Sequence, residues 1–241
     1  MLRSAKSLFG YRILSLDDAE VGKVKDFYFD DLMWTVRYLV DDTGGWLHGR
    51  SVLLSPVVLG QPDWDSEVLT VLLSEEQIME SPGVDMDKPV SRQKEEELNI
   101  YYGWPSYWAV MPLPVPMLVG EAGVAASREK GDPHLRSIRE VAGYSIEVMD
   151  GDIGQVDDFI LDDEGWTIRY MVVDTGRWLP GKKILISPGW VDVVEWLERK
   201  VRVDLMANAI KDAPEFDPAA PVNREYETRL YDFYGRPVYW E

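Results

Sequence analysis

The stretch GKVKDFYFDDLMWTVRYLVDDTGGWLHGRSVLLSP, residues 22–56, decides the fold because it occurs twice. It lies without a gap over GQVDDFILDDEGWTIRYMVVDTGRWLPGKKILISP, residues 154–188, at an offset of 132. The same offset carries PVSRQKEEELNIYYGWPSYW (89–108) onto PVNREYETRLYDFYGRPVYW (221–240). More than a third of the positions from Gly22 to Trp108 are identical to their partners. A repeat of this length is one structural unit built twice, so the chain reads as a tandem duplication. Its parts are residues 1–108 as repeat 1, 109–137 as a Pro- and Gly-containing linker, and 138–241 as repeat 2.

Within each copy, residues 21–29 and 33–42 are rich in Val, Tyr, Phe, Trp and Thr with partial period-two alternation, and an acidic turn separates them. That pattern predicts an antiparallel hairpin. In the second copy Gly165 follows Asp162-Asp163-Glu164, where a tight turn commonly needs a positive φ. Shorter strands are predicted over 11–16, 51–55 and 68–73, with Pro56 and Pro188 closing theirs because a proline has no N–H for a ladder. Five or six short strands per copy suit a small closed barrel. Ser74 before Glu75-Glu76-Gln77 reads as a helix cap, and Ser91 and Asn223 as caps of a second short helix entering each aromatic tail.

The motif G-x-V-x-D-F-x-x-D-D-x-x-W-T-[VI]-R-Y, present in both copies, resembles the PRC-barrel family, and the W-L-x-G-[RK]…L-[LI]-S-P continuation agrees with it. The resemblance implies compact six-stranded barrels used mainly for contacts with other proteins. Relatives of this kind include the cytoplasmic domain of the photosynthetic reaction centre H subunit and the C-terminal barrel of RimM-type ribosome maturation factors. The fold expected is therefore mainly β: two tandem PRC-type barrels with short C-terminal helices and aromatic tails, packed as an intrachain pseudo-dimer about an approximate two-fold axis.

Composition narrows the function. The 241 residues carry 25 basic and 43 acidic side chains, a formal charge of −18, which opposes direct nucleic-acid binding. With no cysteine there is no thiolate, disulfide or iron–sulfur chemistry, and two histidines, His48 and His134, leave no three-histidine zinc site. His48 has Pro180 as its counterpart and reads as a loop histidine; His134 lies in the linker. No signal peptide or membrane-spanning segment is legible, so a cytoplasmic protein is expected. No cofactor and no catalytic residue are nominated.

Two structural ion pairs are predicted across the hairpins, Asp26 with Arg37 and Asp158 with Arg169. The acidic turns Asp30-Asp31 and Asp162-Asp163-Glu164 read as solvated loops, with calcium as the alternative, although neither has the spacing of a calcium loop. Tyr102, Trp104, Tyr107 and Trp108 in the first tail, and Tyr234, Tyr239 and Trp240 in the second, are candidates for closing the core or docking a partner. The function expected is a non-catalytic protein-interaction or scaffold module. The alternatives are an acidic factor that binds a basic partner such as a ribosomal protein, and a small-ligand or metal sensor at the cleft between repeats.

Overall fold

A computed structural model describes residues 1–44, 50–83, 90, 92–107, 135–176, 180–195 and 197–240. His48, His134, Ser91 and Trp108 lie outside the described residues. The chain is mainly β. In order it forms β1 (Leu2–Ser4), β2 (Arg12–Leu14), β3 (Glu20–Asp30), β4 (Thr35–Asp42), β5 (Ser51–Leu54), β6 (Leu59–Asp63), β7 (Val68–Val71), α1 (Glu75–Met79) and α2 (Arg92–Tyr102). After these come β8 (Leu135–Ser137), α3 (Ile138–Val141), β9 (Ser145–Val148), β10 (Gly151–Asp162), β11 (Thr167–Asp174), β12 (Lys183–Ile186), β13 (Val191–Glu195), β14 (Lys200–Val203), α4 (Ala207–Lys211) and α5 (Arg224–Tyr234).

The chain divides into two compact units that differ from the sequence repeats. One comprises Met1–Phe9, Phe29–Val36 and Arg136–Glu241; the other comprises Gly10–Tyr28 and Arg37–Leu135. The N-terminal strand and the tip of the first hairpin thus belong to the unit that holds the second repeat. Hydrogen bonding accounts for this. β1 adds to β10 with Leu2 opposite Asp162 and Ser4 opposite Ile160. At the hairpin tip Thr35 pairs with Thr167, Val36 N–H donates to Trp166 O at 2.8 Å, and Ile168 N–H donates to Trp34 O at 2.7 Å.

In that unit β9, β10 and β11 form an antiparallel meander, β12 lies on β11, and β14 joins β9 in parallel with Lys200 opposite Ser145. β13 completes the path on β14. The other unit repeats the plan. β2 pairs antiparallel with β3 and parallel with β7, with Arg12 opposite Val68, while β5 lies on β4 and β6 on β7. The parallel pair of each unit, like the pairing of β1 with β10, is a strand relation that hairpin signals could not supply, because it joins segments more than 50 residues apart. β6 was also missed, since Gly60 and Pro62 interrupt its pattern.

Burial follows the strand pattern. Tyr38, Val40, Leu53, Val90, Leu98 and Leu135 form one core, with Tyr28 and Tyr102 packed on it. In the other unit Ile146, Phe159, Tyr170, Val173, Leu185 and Leu230 are fully buried. Gly22 and Gly154 occupy equivalent places where a strand crosses closely: a Cβ at Gly22 would collide with the Asp41 carboxylate, and one at Gly154 with Asp174 O. Only glycine fits either place.

The Ser74 and Asn223 helix caps form where the sequence puts them. Ser74 Oγ accepts from Gln77 N–H at 3.2 Å and Gln77 Oε1 accepts from Ser74 N–H at 2.9 Å, a reciprocal capping box. Asn223 Oδ1 accepts from Tyr226 N–H at 2.9 Å. The hairpin turn departs from expectation, because Trp166 takes the left-handed conformation (φ 50°) and Gly165 does not; Trp34 does the same at φ 53°. A non-glycine residue there costs on the order of 1–2 kcal/mol, and burial of the Trp34 and Trp166 indoles, at 8% and 4% exposure, offsets it. Leu135–Ser137, read as the end of the linker, is strand β8.

Candidate functional site

The most distinctive arrangement is where each C-terminal helix and aromatic tail is fastened to the strands of its unit. Glu227, on the first turn of α5, is buried at 2% exposure and accepts three groups. Tyr170 OH on β11 donates at 2.8 Å, Tyr239 OH from the tail donates at 2.7 Å, and the Arg224 guanidinium lies 3.1 Å away. Burial foremost, then the Glu227 charge, holds the Tyr170 phenol far above its ordinary range; burial and the Glu227 hydrogen bond push Tyr239 up to about 12. In the other unit Tyr107 OH likewise donates to the buried Glu95 at 3.1 Å. A buried carboxylate is stable only when its lone pairs are filled, and two phenols and a guanidinium fill those of Glu227.

Of the two predicted ion pairs, that of the second copy is replaced by other contacts. Asp158 lies opposite Val172, past Arg169, because the turn closes with Asp162 opposite Thr167, one residue later on each strand than the expected register, and the bulge between Ile160 and Leu161 then shifts the partner by one more. Asp158 and Arg169 therefore do not pair, which corrects the sequence expectation. Asp158 accepts Ser4 Oγ at 2.5 Å, Lys6 N–H at 3.1 Å and Phe159 N–H at 2.7 Å. Burial raises its carboxyl despite those three donors. Arg169 pairs with Asp162 at 3.1 Å and its guanidinium lies over the Tyr239 ring at 4.5 Å. Burial works to raise Asp162, but the Arg169 hydrogen bond, the Glu164 N–H and the nearby cations outweigh it and hold the carboxyl low.

In the other unit Arg37 lies over the Tyr107 ring at 4.1 Å, and Asp26 accepts Phe27 N–H at 2.8 Å. The two repeat arginines thus share one role: each stacks on the tail tyrosine that reaches the buried glutamate. Sequence reasoning missed both glutamates. The available signal was R-x-x-E, present as Arg92…Glu95 and Arg224…Glu227 at the duplication offset.

The acidic turns are less solvated than expected. Asp163 is buried and binds the N-terminal amine of Met1, and Asp31 lies 3.0 Å from Arg136. Asp30 is buried too, its Oδ1 accepting Leu32 and Met33 N–H at 2.9 and 3.1 Å. These carboxylates are used in turn geometry and ion pairing, a consequence of strands packed around the turn that composition does not reveal.

Of the tail aromatics, Tyr102 stacks on Trp104 at 4.1 Å, and burial pushes its phenol up to about 12. Tyr234 lies 4.7 Å from Trp190, and burial raises its phenol as well. Trp240 packs 5.4 Å from Tyr231 beneath the Arg224 guanidinium at 4.0 Å. On the exposed side, Tyr101 and Phe233 occupy equivalent positions of α2 and α5 and remain 38% and 41% exposed.

Asp41 on β4 stands apart. It is fully buried and neither carboxylate oxygen makes a well-formed hydrogen bond. Burial pushes its carboxyl up to about 8; the Lys23 backbone N–H opposes this and the Asp42 charge adds to it. The equivalent residue of the second copy is Val173.

Among the described residues no cluster of three or more His, Asp or Glu side chains is arranged to hold a metal ion. No described helix is long and apolar enough to cross a membrane. A search of curated proteins returns no match. The family model for the PRC-barrel domain matches residues 2–73, the span from β1 through β7, so the chain carries a PRC-barrel domain over that segment.

Proposed function

We propose that the protein is a non-catalytic interaction module built from two PRC-type barrels, and that it engages its partner through the outer faces of α2 and α5. The observation that carries this reading is the pair Tyr101 and Phe233, equivalent aromatic positions that stay partly exposed in both copies, with Tyr101 OH donating to Gln77 O at 2.8 Å. Glu76, Glu80 and Arg50 lie near Tyr101, and Glu225, Arg229 and Asp232 lie beside Phe233. Assignment of the second copy to the same family rests on the shared strand order, including its parallel pair.

Carboxylates outnumber the single guanidinium beside each aromatic anchor, which favours a partner with a basic, partly apolar surface, and the net charge of −18 steers such a partner at long range. The test is affinity capture from native lysate at low and high salt, with Tyr101→Ser/Phe233→Ser beside the wild type. The reading expects a defined basic partner that is released by salt and lost in the double variant. Equal recovery by the folded variant would remove the helix faces from the interaction.

A further inference from the structure

A cleft of about 360 Å³ opens in the unit that contains the second repeat, and its walls include Met33, Trp34, Arg169, Trp190, Tyr231 and Arg236. Its size falls within the usual range for small-molecule sites. The framework of the cleft is common to both repeats: Pro188, Pro237, Arg169 and Tyr239 have Pro56, Pro105, Arg37 and Tyr107 as counterparts. What furnishes it is not. Trp190 stands where the first copy has Val58, Tyr231 where it has Asn99, Arg236 where it has Trp104, and Gly189 where it has Val57. Glycine in place of valine at 189 clears space, and the other three differences bring a second indole, a phenol and a cation to its edge.

The polar groups are placed and partly unspent. Arg236 Nη2 donates to Asp204 O at 2.8 Å and to Asp204 Oδ2 at 2.7 Å, which fixes the guanidinium and leaves Nε and Nη1 without a protein acceptor. Arg169 Nη2 binds Asp162 at 3.1 Å, while its buried Nε–H makes no hydrogen bond. Tyr231 OH and Ser187 Oγ share one hydrogen bond at 2.9 Å. The cleft therefore offers aromatic walls and guanidinium donors. Guanidinium groups suit planar oxyanions, and indole walls suit planar rings.

We propose that this cleft binds a planar aromatic carboxylate, its ring against Trp34 and Trp190 and its carboxylate on Arg236 and Arg169. The site is separate from the exposed helix positions proposed for partner docking.

Calorimetric titration of the full chain with 1-naphthoate and with neutral 1-naphthamide tests this. The expected result is that naphthoate binds at least about tenfold more tightly, the order of effect of a hydrogen bond to a charged group. Arg236→Gln abolishes that preference without weakening naphthamide. Gly189→Val, which restores the first copy's residue, removes binding of both; a Cβ at this position meets nothing closer than Ser187 Oγ at 3.9 Å, so the variant keeps the fold. Equal affinity for the two probes, an unchanged preference in Arg236→Gln, undiminished binding in Gly189→Val, or no binding of naphthoate to the wild type overturns the proposal.

Discussion

Replacing Asp41 by asparagine stabilises the protein, and by an amount that grows with pH. In the native state the carboxyl is buried, has no well-formed hydrogen bond and is pushed up to about 8. In the unfolded chain it ionises near 3.9. Below about pH 4 both states hold the proton and the group costs nothing in this respect. Between about pH 4 and about pH 8 the unfolded state releases the proton while the native state retains it, so stability falls by about 1.4 kcal/mol per pH unit. Above about pH 8 both states are ionised and the loss is complete.

At pH 7 the span is roughly three pH units, which gives a ceiling of about 4 kcal/mol. The asparagine amide is nearly isosteric with the carboxyl and does not titrate, so Asp41→Asn matches the wild type near pH 4 and exceeds it increasingly to pH 8. The assay is urea unfolding followed by far-ultraviolet circular dichroism at several pH values from about 5 to about 9, read as the difference between the two proteins. Other titrating groups cancel in that difference. A difference independent of pH, or a wild type that becomes the more stable protein at pH 8, refutes the reasoning. Asp41→Val, which copies Val173 of the second repeat, gives the same pH dependence.

Two further perturbations test the long-range contacts. Ser4→Ala removes the hydroxyl that donates to the buried Asp158 at 2.5 Å; thermal unfolding should show a loss of about 1–3 kcal/mol, and a neutral result would mean that β1 contributes nothing through this contact. Glu227→Ala leaves Tyr170 OH without its buried acceptor at 2.8 Å and frees the tail tyrosine Tyr239. A loss of about 3–5 kcal/mol is expected from breaking a buried charged network, with lowered hydrogen-exchange protection in α5, whereas a change confined to the tail would assign the glutamate to tail docking alone.

Much of the fold was legible because its signals are local or duplicated. The hairpin of residues 20–42, the prolines that end β5 and β12, and the Ser74 and Asn223 caps all depend on residues within one element or turn. The candidate site was legible only in part. Arg37, Arg169, Tyr107 and Tyr239 were singled out, but their relation was not, because the arginines stack on tyrosines about 70 residues downstream. The triplet Leu-Arg-Ser at 2–4 and again at 135–137 was a further signal, marking two short strands of the same kind.

The sequence by itself determined that one β-rich plan is written twice, which residues alternate toward a core, and that the chain carries a PRC-barrel signature. Only the tertiary structure decided that Asp158 serves Ser4 and Lys6 while Asp162 serves Arg169. It also decided that residues 1–9 and 29–36 complete the unit holding the second repeat. The physical reason is that a period-two pattern fixes which face a side chain takes but not its register. A single bulge shifts every later partner by one, and hydrogen bonding between segments over 100 residues apart leaves no local trace in composition.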